Sequence, residues 1–169
     1  LHQPLDARSR SAFERFCELR MRRMPVQYIL GDWDFHELTL QVEAPILIPR
    51  PETEELVELV LSALRREGGQ TRGGRPLKIL DVGCGTGAIG LALINKMPEA
   101  RCVGIDISEH AVSLAQRNAA SLRLSDRYEA SCIGITEYAR NTIVPRFDVI
   151  VSNPPYIPQA DMSTLAPEG

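Results

Sequence analysis

Asn153-Pro154-Pro155-Tyr156 stands just after the apolar run Phe147-Asp148-Val149-Ile150-Val151. Proline fixes φ and has no N–H, so a turn built on two of them presents carbonyl acceptors without competing donors. Pro155 also biases Pro154 toward an extended backbone. Together with the Asn153 side-chain amide, the turn holds several acceptors rigidly at the end of an expected strand. Chemistry that must grip a planar –NH2 group, whose two hydrogens need two fixed acceptors, calls for such residues. Taken alone, the same four residues fit a plain structural turn equally well.

A second cluster lies upstream. Leu77-Lys78-Ile79-Leu80-Asp81-Val82 reads as a short buried strand, and Gly83-Cys84-Gly85-Thr86-Gly87 follows it directly. Ala88 to Met97 is then apolar at helical spacing and is ended by Pro98. Glycines let a backbone adopt positive φ and approach a ligand, and a helix start carries N–H groups without intrahelical partners. Arg101-Cys102-Val103-Gly104-Ile105-Asp106 reads as the next strand, and its terminal acid can accept two ribose hydroxyls. The acid follows the glycines by roughly 20 residues, as in a nucleotide-binding βαβ unit. Gly83 to Ala88 also satisfies the G-x-G-x-x-A form of a dinucleotide fingerprint, so an NAD-dependent oxidoreductase competes. Two details favour S-adenosylmethionine. Asp81, inside the strand, suits a cationic amino acid better than a pyrophosphate, and hydride transfer has no need of Asn153-Pro154-Pro155-Tyr156. Methyl transfer is the expected chemistry.

Composition sets limits. The 169 residues are long enough for one domain with a real core. A net charge of -3 gives no electrostatic footprint for DNA or RNA. The one basic cluster, Arg8, Arg10, Arg15, Arg20, Arg22 and Arg23, is interleaved with Glu14 and Glu18 and reads as a solvated helix face. Cys17, Cys84, Cys102 and Cys132 lack C-x-x-C spacing and are expected as reduced, buried thiols. His2, His36 and His110 are scattered, so no metal site is expected, and no run reaches membrane-spanning length.

The elements that must position these residues follow from periodicity. Residues 9–24 are expected as a helix with Phe13, Phe16, Cys17, Leu19 and Met24 along an apolar stripe, ended by Pro25. Val26 to Ile48 alternates apolar and polar residues as a β-hairpin would, with Gly31-Asp32 as its turn. Pro51 fits a first helical turn, with Glu52, Glu54 and Glu55 complementing its positive end. Leu56, Val57, Leu59, Val60, Leu61 and Leu64 supply the face of that helix. Glu67 to Pro76 reads as a glycine-rich loop in which Gly68-Gly69-Gln70 is a helix C-cap. Ser108 caps a helix through about Leu122, and a weaker strand spans Tyr128 to Ile135. Strand–helix alternation from Leu77 to Val151 predicts a parallel α/β sheet.

Three separated blocks resemble the HemK/PrmC family, the N5-glutamine methyltransferases of peptide chain release factors. They are Arg23-Met24-Pro25-Val26-Gln27-Tyr28-Ile29-Leu30-Gly31, then Ile48-Pro49-Arg50-Pro51-Glu52-Thr53-Glu54, then Asp81 to Gly87 with Asn153-Pro154-Pro155-Tyr156. The resemblance implies a Rossmann-like class I methyltransferase sheet, preceded by a helix and a short β-hairpin. It divides the chain into 1–25 (the last helix of a substrate-binding domain), 26–76 (hairpin and helix linker) and 77–169 (a partial catalytic core). By the same resemblance, Asp81, Gly83, Cys84, Gly85, Thr86, Gly87, Asp106 and Asn153 would bind S-adenosylmethionine. Asn153 and Pro154 would be catalytic, and Asn153, Pro154, Pro155 and Tyr156 would hold the substrate. A release factor is the implied partner, with no nucleic acid, no membrane and a monomeric state. The first block, with Gln27 and Trp33-Asp34-Phe35, is similar to eukaryotic mitochondrial members; otherwise a bacterial cytoplasm is implied.

Two departures from the family pattern bear on these expectations. Ser131-Cys132-Ile133-Gly134-Ile135 stands where the family places an acidic–aromatic pair against adenine, which leaves Glu137 or Tyr138 for that contact. The family's fold runs three strands past the Asn-Pro-Pro-Tyr turn, so a C-terminally truncated sheet with an apolar edge and an uncovered face is expected. An adenine-N6 nucleic-acid methyltransferase and a truncated, non-catalytic fragment are the competing readings.

Overall fold

The computed structural model describes residues 6–66, 71–141 and 147–154. They fall into two units, one within Leu1–Gly31 and one spanning Asp32–Pro154. In the first, Asp6 caps helix α1 (Ala7–Met21) by accepting from the Ser9 N–H at 2.7 Å. Helix α2 (Val26–Leu30) follows and is closed by Gly31 at φ 84°. No residue of α1 is buried: Phe13 is 59% exposed and Cys17 is at the surface. The expected stripe is therefore not a buried one, since α2, at five residues, is too short to cover it. The six arginines of this region are all exposed, as a solvated face requires.

The second unit opens with a hairpin, β1 (Asp32–Phe35) and β2 (Leu38–Gln41), paired Phe35 to Leu38 and Trp33 to Leu40. Its turn is His36-Glu37, both at positive φ (46° and 68°), the two-residue loop whose twist matches the strands. The sequence reading placed the turn at Gly31-Asp32. Gly31 instead uses its left-handed φ to end α2, and Val26–Leu30 is helix, not strand. Phe35, Leu38 and Leu40 turn into the core.

Helix α3 (Glu52–Arg66) begins beside Pro51 with three acids in its first turn. Val57 and Leu61 are buried, with Leu56, Val60 and Leu64 packed around them, whereas Leu59 is 67% exposed and lies off the face. Strands β3 (Thr71–Arg72) and β4 (Arg75–Pro76) form a small antiparallel ladder within what the sequence suggested was loop. Gly68-Gly69-Gln70 lies outside the described residues.

The core sheet comprises β5 (Lys78–Val82), β6 (Arg101–Asp106), β7 (Tyr128–Cys132) and β8 (Val149–Ser152), all parallel, in the order β7-β6-β5-β8. Helices α4 (Ala88–Lys96) and α5 (Glu109–Ser121) connect the strands and pack on β6 and β7. Helix α6 (Ile135–Asn141) begins where the sequence reading still had strand. Ser108 caps α5, as expected. Helix α4 is buried almost all round, between the sheet and α3. On the opposite face, register aligns Leu80 with Val103 and Ile150, and Ile150 is 66% exposed. Arg75 anchors edge strand β8 through a bidentate pair to Asp148 (2.8 and 2.8 Å), which also accepts from the Lys78 N–H at 2.9 Å.

Candidate active site

Strand order reverses at β5, whose neighbours β6 and β8 connect in opposite directions along the chain. In open parallel sheets such a reversal leaves a crevice at the carboxyl ends of the strands. Pairing puts Val82 opposite both Ile105 and Ser152. The next residues along each strand, Gly83, Asp106 and Asn153, therefore share one row at that edge. Three stretches widely separated in sequence meet there.

The glycine turn depends on backbone freedom: Gly83, Gly85 and Gly87 have φ of 71°, 54° and 81°. Its N–H groups are largely committed. Gly83 and Cys84 donate to the Ile105 carbonyl (2.8 and 3.1 Å), Gly85 to Asp106 Oδ2 (3.0 Å), and Gly87 back to the Cys84 carbonyl (2.7 Å). A pyrophosphate needs such N–H groups free, so these bonds weigh against a dinucleotide cradle. Asp106 also accepts from the Ser108 N–H through Oδ1 at 3.0 Å, which ties the acid to both the turn and the start of α5.

Asp81 lies in β5 just before the glycines and Cys84 is a buried thiol, both as expected, with their side chains turned into the core. Asp81 is 0% exposed; Oδ2 accepts from the Gly90 N–H at 3.0 Å, and Oδ1 has no hydrogen-bond partner. Strand alternation turns it under α4, away from the mouth of the crevice. Burial, opposed by the Gly90 N–H and helped by the Asp106 charge, pushes its pKa up to about 7. The Cys84 side chain is also buried, against Gly104 and Tyr128, and burial and Asp81 push its pKa up to about 12. With its N–H on Ile105, Cys84 shapes the turn from beneath. Thr86 is 3% exposed.

Sequence reasoning missed three residues. Asn118, fully buried in α5, donates to the Thr86 carbonyl (2.9 Å) and the Gln41 carbonyl (3.1 Å) and accepts from the Gln41 N–H (2.7 Å). It clamps the glycine turn to the hairpin. An asparagine mid-helix, where its propensity is poor, was the available signal. Ile107, next to Asp106, is 83% exposed and presents an apolar surface at the edge. Thr53, in the first turn of α3, accepts from Asn153 Nδ2 at 3.1 Å.

Asn153 is half-buried and Pro154 exposed, while Pro155 and Tyr156 lie outside the described residues. Ser152 donates to the Val82 carbonyl at 2.8 Å and fastens the strand end before the turn. The Tyr138 ring lies 6.3 Å from that of Phe147, and Glu137 is exposed in the first turn of α6. A cleft of about 540 Å³ lined by His36, Glu37, Pro51, Glu54, Glu55 and Glu58 contains none of the expected site residues. Among the described residues no group of three His, Cys, Asp or Glu could hold a metal, and no helix is long and apolar enough to cross a membrane.

A parallel sheet with a glycine turn, a strand-end acid and Asn153-Pro154 at one edge defines the class: an α/β methyltransferase fold. The methyltransferase small domain profile matches residues 57–167, and the chain belongs to that family. Its relatives include a Homo sapiens protein named MTRF1L release factor glutamine methyltransferase, 46% identical over 98% of this chain and 50% of its own. A release factor glutamine methyltransferase of Geobacter sulfurreducens is 39% identical over 98% of this chain and 54% of its own. The chain thus spans about half the length of the curated relatives it matches, and their names agree with the family that the three blocks resemble. The N-terminal domain of human METTL16 shares the fold, with a TM-score of 0.61 at 16% identity over 78% of this chain and 52% of that one.

Proposed function

We propose that this chain binds S-adenosylmethionine at the carboxyl edge of β5, β6 and β8 and methylates the side-chain amide nitrogen of a glutamine. The observation that carries the reading is the pairing of Val82 with both Ile105 and Ser152, which brings the residues that follow, Gly83, Asp106 and Asn153, to one edge of the sheet. Gly83, Gly85, Thr86 and Gly87 would line the cofactor and Asp106 would take its ribose hydroxyls. Cys84 and Asp81 would shape the turn from below, and Ile107 would offer an apolar surface nearby. When bound, S-adenosylmethionine supplies an electrophilic methyl group.

An amide nitrogen is a poor nucleophile because its lone pair is delocalised into the carbonyl. Asn153 Oδ1 and the Pro154 carbonyl would accept its two N–H bonds, supported on the substrate side by Pro155 and Tyr156. Such acceptors favour positive charge growing on nitrogen and fix its direction of attack. Positioning of this kind can supply about 7–11 kcal/mol when the geometry is near-attack. Pre-aimed acceptors add electrostatic stabilisation. Proton loss would follow transfer, without a dedicated base.

The substrate is read as the Gly-Gly-Gln motif of a peptide chain release factor, on the strength of the three sequence blocks and the relatives' names. On the same resemblance, residues 1–25 are the end of a substrate-binding domain, 26–76 a linker and 77–169 catalytic core. A mitochondrial location and a monomeric state belong to this reading, as does the absence of direct nucleic-acid binding, which the net charge of -3 supports. The test is calorimetric titration of the intact protein with S-adenosylmethionine and with NAD, followed by mass spectrometry of a Gly-Gly-Gln peptide. Binding of S-adenosylmethionine alone and one added methyl on glutamine are expected. Binding of NAD, or cofactor binding without glutamine methylation, would overturn the reading.

A further inference from the structure

We infer that Thr53 is a positioning residue that anchors the Asn153 side-chain amide at the strand end; the inference rests on the amide-methylation reading above. An asparagine side chain has one accepting and one donating end, and only the accepting end can take an N–H from a target amide. The Asn153 Nδ2–H points at Thr53 Oγ1, 3.1 Å away and 100 residues earlier in the chain. That contact occupies a donor and leaves Oδ1 for the target. Without that contact the amide would be free to rotate at the end of the strand, and Oδ1 would no longer be held at a fixed point.

The hold is only as good as the anchoring of Thr53, and three features supply it. The Thr53 N–H closes on the Arg50 carbonyl at 3.0 Å, which starts the helix at Pro51. Val57 and Leu61, one and two turns further on, are buried, and α3 packs along α4. His36 in the hairpin turn reaches Glu58 at 2.7 Å on the same helix. On the other side, Ser152 is fastened to the Val82 carbonyl, so Asn153 leaves a fixed strand end. A hydroxyl carried on a packed helix thus reaches the Asn153 amide and holds it at the end of β8.

The test compares Thr53→Val, which keeps the shape and loses the hydroxyl, with Thr53→Ser, which keeps the hydroxyl. In the intact protein, Thr53→Val should lower kcat on a Gly-Gly-Gln peptide by roughly tenfold, the rate equivalent of one hydrogen bond. Peptide KM and S-adenosylmethionine affinity should stay within about twofold, and Thr53→Ser should restore most of kcat. A merely structural role would move all three quantities together and would not be rescued by serine. A second readout needs no substrate: the Asn153 side-chain amide resonances should shift and exchange faster in Thr53→Val and not in Thr53→Ser. Unchanged kcat in Thr53→Val, or amide resonances indifferent to the valine, would overturn the inference. A wild-type protein that methylates no glutamine, but whose Asn153 resonances respond to the valine, would overturn the functional reading and retain the hold.

Discussion

Asn118→Ala tests the clamp between α5, the glycine turn and the hairpin. The substitution removes three hydrogen bonds of 2.7, 2.9 and 3.1 Å and strands their partners differently. The Thr86 carbonyl is buried and loses a donor that water cannot replace, at about 1–3 kcal/mol. The two Gln41 groups are partly buried and can be rehydrated in part, at about 0.5–1.5 kcal/mol each. Alanine's better helix propensity returns about 0.5 kcal/mol. The expected net loss is thus about 1.5–5.5 kcal/mol. Urea unfolding followed through Trp33 fluorescence is a suitable assay, because the single tryptophan lies in the clamped hairpin, opposite Leu40. Asn118→Asp is the control: it keeps an acceptor for the Gln41 N–H, loses both donors and buries a charge, so it should destabilise more than alanine does. A loss below about 1 kcal/mol for alanine, or aspartate milder than alanine, would refute the reasoning. S-adenosylmethionine affinity should also fall, since the released Thr86 carbonyl loosens the turn.

Three further outcomes concern the buried polar cluster beneath the glycine turn and the free thiols. A Cβ on Gly104 would lie 2.5 Å from the Tyr128 hydroxyl and 3.1 Å from Cys84, so Gly104→Ala should cost about 1–3 kcal/mol in thermal or urea unfolding. Tyr128→Phe should relieve most of that loss, because it removes the atom that the new Cβ would meet; no relief would place the clash elsewhere. Asp81 has a pKa raised from 3.8 to about 7, so the folded state holds the extra proton and its contribution is fully present below about pH 4. That contribution is lost as pH rises through about 7; Asp81→Asn should flatten the decline and be more stable than wild type at pH 8, as unfolding curves at pH 5 and 8 would check. In the native protein a thiol reagent should modify Cys17 and Cys132, which are exposed, while Cys84 and Cys102 react only on unfolding; mass spectrometry of the labelled peptides decides.

The sequence by itself determined the local pieces of the site. Gly83, Gly85 and Gly87 announce a turn because few other residues adopt positive φ, and that turn lies between β5 and α4 as the reading required. Ser108 announces a helix start because its hydroxyl can accept from Ala111 N–H three residues on, a contact that needs no tertiary partner. Where local signals competed, the reading failed. Gly31 drew the hairpin turn to itself, yet His36 and Glu37 take positive φ without glycine because the pairing of β1 with β2 holds them there. Cys17 and Cys132 read as buried from their apolar neighbours, although exposure depends on what packs above them. Tertiary structure alone decided what faces what. The row of Gly83, Asp106 and Asn153 comes from strand register, and Asp81 was turned beneath α4 by alternation along β5. Asn118 meets Gln41 across 77 residues and Thr53 meets Asn153 across 100, distances over which sequence carries no period and only packing brings donor to acceptor.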